Sequence, residues 1–281
     1  MLVKDNLFKT GLNAYQLKVI ALILMIMDHL YAFLGNDIAF SHWFTNLGRM
    51  SAPIFLMITA LGMGYTKKPG RFVLRLYIAA TLMTITNALM NAALPSSSGA
   101  IITNAIFSTM FIIVFIIYMG QLVSKNWKEK NYKKTILFAA LSTMPFLASG
   151  VQLILLTQLA TNEIYFTIFR VFSTFFPSIL LAEGGIFFVV LGLGFYIFRN
   201  KKWQMGLFYF IYSMVVLIGS SGGDYSLSNL LGYSNQWLMV FALPLMMGYN
   251  RQKGKSSKYF FYYFYPLHVY VLYVIGEFVL V

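Results

Sequence analysis

An all-α, polytopic membrane protein is the fold class this sequence predicts, on three observations. Of its 281 residues 59% are hydrophobic and only 10% are charged, against roughly 25% charged in a soluble domain. The mean hydropathy is +0.72. Apolar runs approaching the ~20 residues that a helix needs to cross a bilayer recur from one end of the chain to the other. A water-soluble domain, a disordered chain and a fibrous repeat are excluded on the same grounds. No second domain and no linker stand out, so residues 1–281 read as one integral-membrane domain.

The runs are, in order, Leu17–Leu34, Pro53–Tyr65, Leu74–Leu94, Ile101–Val123, Thr135–Leu156, Ile164–Leu181, Gly184–Phe198, Gly206–Ser220, Trp237–Tyr249 and Phe260–Val281. Lys4, Asp5 and Lys9 precede the first run without a small-residue cleavage site, so it reads as a retained span and not a signal peptide. The net charge of +13 comes from short basic clusters between runs: Lys4/Lys9/Lys18, Lys67/Lys68/Arg71/Arg75, Lys125–Lys134, Arg199–Lys202 and Arg251–Lys258. Such clusters mark cytoplasmic loops, so the charge sets topology and does not point to nucleic acid. The connections Gly35–Gly48, Pro95–Thr103, Thr157–Glu163 and Ser220–Gln236 hold no Lys or Arg and go outside. Between the outside turn near Asn162 and the inside cluster at Arg199 lie two runs where alternation requires an odd number. Ile164–Leu181, with Arg170, Pro177 and the Glu183-Gly184-Gly185 end, is the one expected not to span. A broken, charged segment at membrane depth persists only when buried in protein or lining a cavity. The expected architecture is nine spans plus one re-entrant or interfacial helix, with the N-terminus cytoplasmic and the C-terminus external.

With no cysteine there is no disulfide, thiolate nucleophile or zinc–sulfur site. The informative residues are the ionisable ones inside apolar runs, since each is costly there unless paired or hydrated. Asp28 and His29 lie within Met25-Ile26-Met27-Asp28-His29-Leu30-Tyr31, and His29 stands about 16 Å above Lys18 at the helical rise. His268, in Phe264-Tyr265-Pro266-Leu267-His268, stands about 15 Å above Lys258. Two of three histidines thus reach similar depth on different helices, and two readings stand. They line one cavity, or His268 is a buried histidine satisfied by a neighbouring helix's carbonyl. Adjacent helix positions diverge by about 100°, so Asp28 and His29 do different jobs. Asp28 is either half of a structural ion pair with Arg49 or Arg75, or a group that orients a histidine or holds a cation. Arg49 sits in a small-residue turn, Leu47-Gly48-Arg49-Met50-Ser51-Ala52-Pro53. Arg170 and Glu183 flank the doubtful helix and either compensate one another or face a polar cavity. His42, beside Trp43 and Phe44, reads as an interfacial anchor, and Asp224 as a loop residue. No metal is predicted, because Asp28, His29 and His268 show no recurrent ligand spacing. Gly62/Gly64 and Gly192/Gly194 read as helix-packing positions.

The run from Leu17 through Asp28-His29-Leu30, then Gly48-Arg49, Pro53, Phe55, Arg75-Leu76, Asn104-Ala105-Ile106-Phe107, Asp224-Tyr225 and Tyr265-Pro266-Leu267-His268 resembles the TraX family, whose founding member is the F-pilin acetylase. The resemblance reaches from the first run to the last, with little of it in Lys125–Tyr196. It is also similar to the wider group of integral-membrane acyltransferases. It implies a ten-helix-like bundle in a bacterial plasma membrane, with acetyl-CoA entering from the cytoplasm. The implied acceptor is an amine or hydroxyl at the outer side, on a peptide or pilin N-terminus or an envelope glycan. A histidine within the membrane stands between donor and acceptor. On that implication His29 is the expected base and His268 a second histidine or positioning group. Asp28 orients a histidine or holds a cation, and Arg49 is a donor to the oxyanion. Arg75, with Arg71, is expected to hold the donor's phosphates, and Ser51 is an alternative nucleophile. Two competing classes are an ion-coupled transporter, with Asp28, His29, Arg170 and Glu183 as a relay, and a non-catalytic membrane scaffold.

Overall fold

The computed structural model describes residues 11–34, 41–96, 101–103, 105–159, 162–255 and 259–278. Lys4, Asp5, Lys9, Asn104 and Lys258, which enter the sequence reading, lie outside them. In chain order the helices are α1 (Ala14–Leu34), α2 (Ser41–Gly48), α3 (Ser51–Tyr65), α4 (Pro69–Ala93), α5 (Ile106–Lys128), α6 (Tyr132–Ser142) and α7 (Met144–Gln158). They continue with α8 (Glu163–Phe175), α9 (Gly185–Ile197), α10 (Lys202–Ser221), α11 (Leu227–Leu231), a 3₁₀ helix (Asn235–Ala242), α12 (Leu243–Met247) and α13 (Phe260–Phe278). Among the described residues there is no strand, only one isolated bridge between Leu12 and Tyr249. The all-α expectation is met.

The nine spans expected from the runs are not all matched by single long helices among the described residues. Among the described residues five stretches are long and apolar enough: α1, α2 with α3 (His42–Tyr65), α4, α5 and α10. The pair α6 and α7 makes a sixth if its 42° bend at Thr143 is one broken span. Pro145 accounts for the bend, since its ring removes a ladder hydrogen bond and crowds the preceding turn. The other runs break into short pieces. Helix α9 has 13 residues, about 20 Å of rise against a ~30 Å hydrocarbon core. Asn235–Met247 is a second short apolar stretch. Helix α13 has 19 residues, but its tyrosines, Pro266, His268 and Glu277 keep its hydropathy below that of the five. An apolar run measures composition, and it takes backbone breaks such as these to show where the run stops being one rod.

The chain divides into two compact units, residues 1–58 with 197–281 and residues 59–196. In the second unit α8 is the doubtful segment, and at 13 residues it too is short of a span. It stops at Phe176, where the following Pro177 disfavours helical backbone. The irregular chain beyond it is buried at Ser178, Ile179 and Ala182. Gln152, fully buried on α7, accepts from the Ser178 hydroxyl and donates to Ser173 Oγ at 3.1 Å and to the Phe176 carbonyl at 3.5 Å. Ser149 Oγ accepts from Leu180 N, and the Pro145 carbonyl from Ile179 N. Non-helical backbone in an apolar layer thus finds its partners in protein, as such a layer requires. Gly184 then turns the chain with φ +69°, a conformation in which a Cβ would collide with the Phe188 ring. Large apolar side chains on α6 to α8, among them Ile136, Phe146, Leu147, Ile154, Phe166 and Val171, are exposed, as suits a surface that meets lipid.

In the first unit α1 packs against α2 and α13. Lys18 Nζ lies 5.4 Å from the Phe261 ring centre, and a Cβ on Gly276 would meet the Phe33 carbonyl. The paired positions rise together along α1 and α13, so the two helices run parallel. The start of α1 is tied by main chain to the segment that follows α12, with Ala14 N donating to Gln252 O and Asn250 N to Leu12 O.

Candidate active site

Parallel packing of α1 and α13 brings their mid-helix histidines into contact. His29 Nδ1 and His268 Nε2 are 2.7 Å apart, with ring centres at 4.9 Å and ring planes at 37°. Both residues are buried, at 6% and 8% exposure. His268 Nδ1 lies 3.0 Å from the carbonyl oxygen of Phe264, one turn back on α13. The Phe264 ring stacks on His268 at 5.4 Å and 14°. Tyr265 sets its edge against both imidazoles, at 6.1 Å from His29 and 5.5 Å from His268. His268 thus touches the other histidine, while the carbonyl it meets belongs to its own helix and not to a neighbouring one.

Asp28 turns another way, as the 100° step requires. Its Oδ1 accepts from Arg49 Nη2 at 2.9 Å and from Thr45 Oγ1 at 2.8 Å. Arg49 Nη2 also contacts Thr45 Oγ1 at 2.5 Å, and its Nε donates to the Thr45 carbonyl at 3.3 Å. Arg49 Nη1 reaches Gln236 Oε1 at 3.4 Å. This is an ion pair braced on a buried threonine, and of the two candidate partners for Asp28 it is Arg49 that holds it. Glycine at 48 has a plain cause: a Cβ there would overlap the Cβ and carboxyl of Asp28. The turn after α2, with Arg49 N bonded to Thr45 O, aims the guanidinium back along its own helix toward α1.

Other residues singled out in the sequence take structural places. Ser51 is buried, and its hydroxyl donates to the Ala21 carbonyl at 2.7 Å, which ties α3 to α1. His42 Nε2 donates to the Leu231 carbonyl at 2.7 Å, an anchor to the loop side of the first unit. Asp224, fully exposed, accepts from Ser226 N at 2.9 Å. That backbone bond, with the Ser226 hydroxyl, holds its carboxyl below the usual carboxylate range. In the second unit Arg75 Nε donates to the Arg71 carbonyl at 3.3 Å and its guanidinium lies over Phe72, while Arg71 is exposed. Arg170 covers the Phe166 ring at 5.6 Å, and Glu183 accepts from Ala105 N at 3.4 Å ahead of α5.

Sequence reasoning missed Thr45, Gln236 and the buried bond from Asn235 Nδ2 to Asn46 Oδ1 at 2.9 Å. Thr45 sits four residues before Arg49, a helical spacing that signals neighbourhood. Nothing in sequence joins positions 46 and 235 or 49 and 236.

Compared with family models, residues 13–276 match the one described as TraX protein. No curated protein matches, and no solved structure does.

Proposed function

The chain belongs to the TraX family, and from that premise we propose that it is a membrane acetyltransferase. It moves an acetyl group from cytoplasmic acetyl-CoA to an amine or hydroxyl at the outer side of the bacterial plasma membrane. The acceptor is a peptide or pilin N-terminus or an envelope sugar. The observation that carries this reading is the buried hydrogen bond between His29 and His268. Imidazole is the side chain suited to take and return a proton near neutral pH, and hydrogen-bonded pairing orients it to do so.

In the proposed reaction His29 takes the proton of the attacking amine or hydroxyl. The acceptor atom bonds to the thioester carbonyl carbon and the carbonyl oxygen becomes an oxyanion. Collapse breaks the carbon–sulfur bond, and the proton passes from the imidazole to the departing sulfur. Arg49 keeps donor capacity on Nη1, which holds Gln236 only at 3.4 Å, and is the proposed partner of the oxyanion. Asp28 fixes the arginine and not the histidine. Arg75, with Arg71, is the proposed anchor for the phosphates of the donor.

Acetyl-CoA binding to the detergent-purified protein is the first test. Affinity within the range usual for such substrates, about 1 μM to 1 mM, is expected, weakened by Arg75→Ala and kept by His29→Ala. Transfer to an amine-bearing acceptor should fall by about 10²–10⁴ in His29→Ala, the share of a general base. A folded, monodisperse protein that does not bind acetyl-CoA would sink the reading, and proton-driven flux in liposomes would replace it with transport.

A further inference from the structure

The hydrogen bonds around the two histidines have a direction, and it begins at a group whose role is not a matter of choice. A carbonyl oxygen only accepts. The 3.0 Å contact of His268 Nδ1 with the Phe264 carbonyl therefore requires a proton on Nδ1. In the neutral imidazole Nε2 then carries a lone pair and accepts. The atom 2.7 Å from it is His29 Nδ1, which must be the donor. We infer that α13 sets the tautomer of α1: the Phe264 carbonyl fixes the proton of His268 on Nδ1, and His268 in turn fixes the proton of His29 on Nδ1. The basic lone pair of the pair lies on His29 Nε2.

This deepens the proposed reaction and rests on it for its catalytic meaning. The pair is polar along its length, so His29 is the base and His268 a positioning residue that acts through it. Ring flips would exchange donor and acceptor nitrogens, and packing opposes them. Phe264 lies flat on one face of His268, while Tyr265 wedges against both rings. When His29 gains a proton on Nε2, its Nδ1–H still points at the His268 lone pair. A neutral ring thus does what a carboxylate does in many hydrolases, without placing a second charge in an apolar layer. Asp28 is committed elsewhere, to Arg49 and Thr45.

The first arm of the test needs no substrate. Full-length protein labelled with ¹⁵N-histidine and reconstituted in lipid has three histidines, which spectra of His42→Gln and His268→Gln assign. The wild type is expected to show His29 and His268 both protonated on Nδ1 and bare on Nε2 near neutral pH. A proton on His29 Nε2 overturns the relay. His268→Gln places an amide oxygen, again an acceptor, near the position of Nε2. It should keep the tautomer of His29 and hold kcat within about 10-fold of wild type, whereas His268→Leu should mix the tautomers. Leucine should also lower kcat by about 100-fold with KM for acetyl-CoA unchanged, a loss on the scale of general-base catalysis. Equal losses in both variants overturn the positioning role. Correct tautomers in a protein that never transfers acetyl would overturn the reaction and leave the relay standing, so the two failures are distinguishable.

Discussion

Replacing Gly48 by alanine probes the contact on which the whole Asp28–Arg49 arrangement depends. The added Cβ would overlap the Cβ, Cγ and Oδ1 of Asp28, all on a neighbouring helix, so either α2 backs away from α1 or the carboxylate swings out. Overpacking of this kind costs about 1–3 kcal/mol. Moving the carboxylate also breaks the 2.9 Å pair with Arg49, whose side chains are 29% and 28% exposed. At an effective dielectric constant near 20 two charges at this separation attract by about 5–6 kcal/mol. Desolvation returns much of that, and a partly buried pair lies between the surface value of about 0–1 and the buried value of about 3–5 kcal/mol for losing one partner. Together the change should cost about 3–5 kcal/mol. Denaturant or thermal unfolding in detergent measures it, and a double-mutant cycle with Asp28→Gly isolates its cause. In the Asp28→Gly background the Gly48→Ala penalty should shrink by about 2 kcal/mol or more, because the obstructing side chain is gone. Additive effects, or a Gly48→Ala protein as stable as wild type, would refute the close approach.

Two further substitutions separate structure from chemistry. Ser51→Ala should keep acetyl transfer within a few-fold of wild type and cost about 1 kcal/mol of stability, because its hydroxyl already serves the Ala21 carbonyl; loss of turnover in a stable Ser51→Ala protein would restore the serine nucleophile. Gln152→Leu should cost about 2–4 kcal/mol by stranding the Ser178 hydroxyl and the Phe176 carbonyl, and should raise proteolytic cleavage around residues 176–184; an unchanged digestion pattern would refute the role given to Gln152.

How much of this was legible in the sequence depends on the range of the interaction. The break near Pro177 was legible because proline acts on its neighbours in the chain. The equal depth of His29 and His268 followed from helical rise and the basic clusters, which are local measures too. Helix breaks were less legible, since Thr135–Leu156 and Trp237–Tyr249 are mainly apolar but end as bent or short helices. Hydropathy does not sense where a backbone changes direction. Arg170 meets the Phe166 ring and Glu183 the Ala105 N–H, contacts set by the direction of each side chain and not written in the spacing.

The sequence by itself determined that this is a helical membrane chain of the TraX pattern, and that Asp28, His29, Arg49 and His268 are the polar residues its apolar runs must account for. Those conclusions come from composition, spacing and the cost of charge in hydrocarbon, all written along one dimension. The tertiary structure alone decided that His29 meets His268, that Asp28 meets Arg49 in preference to Arg75, and that Ser51 is spent on a carbonyl. Each of those contacts spans 21 to 239 positions of chain, and packing of α1 against α2, the start of α3 and α13 is what brings the partners within bonding distance.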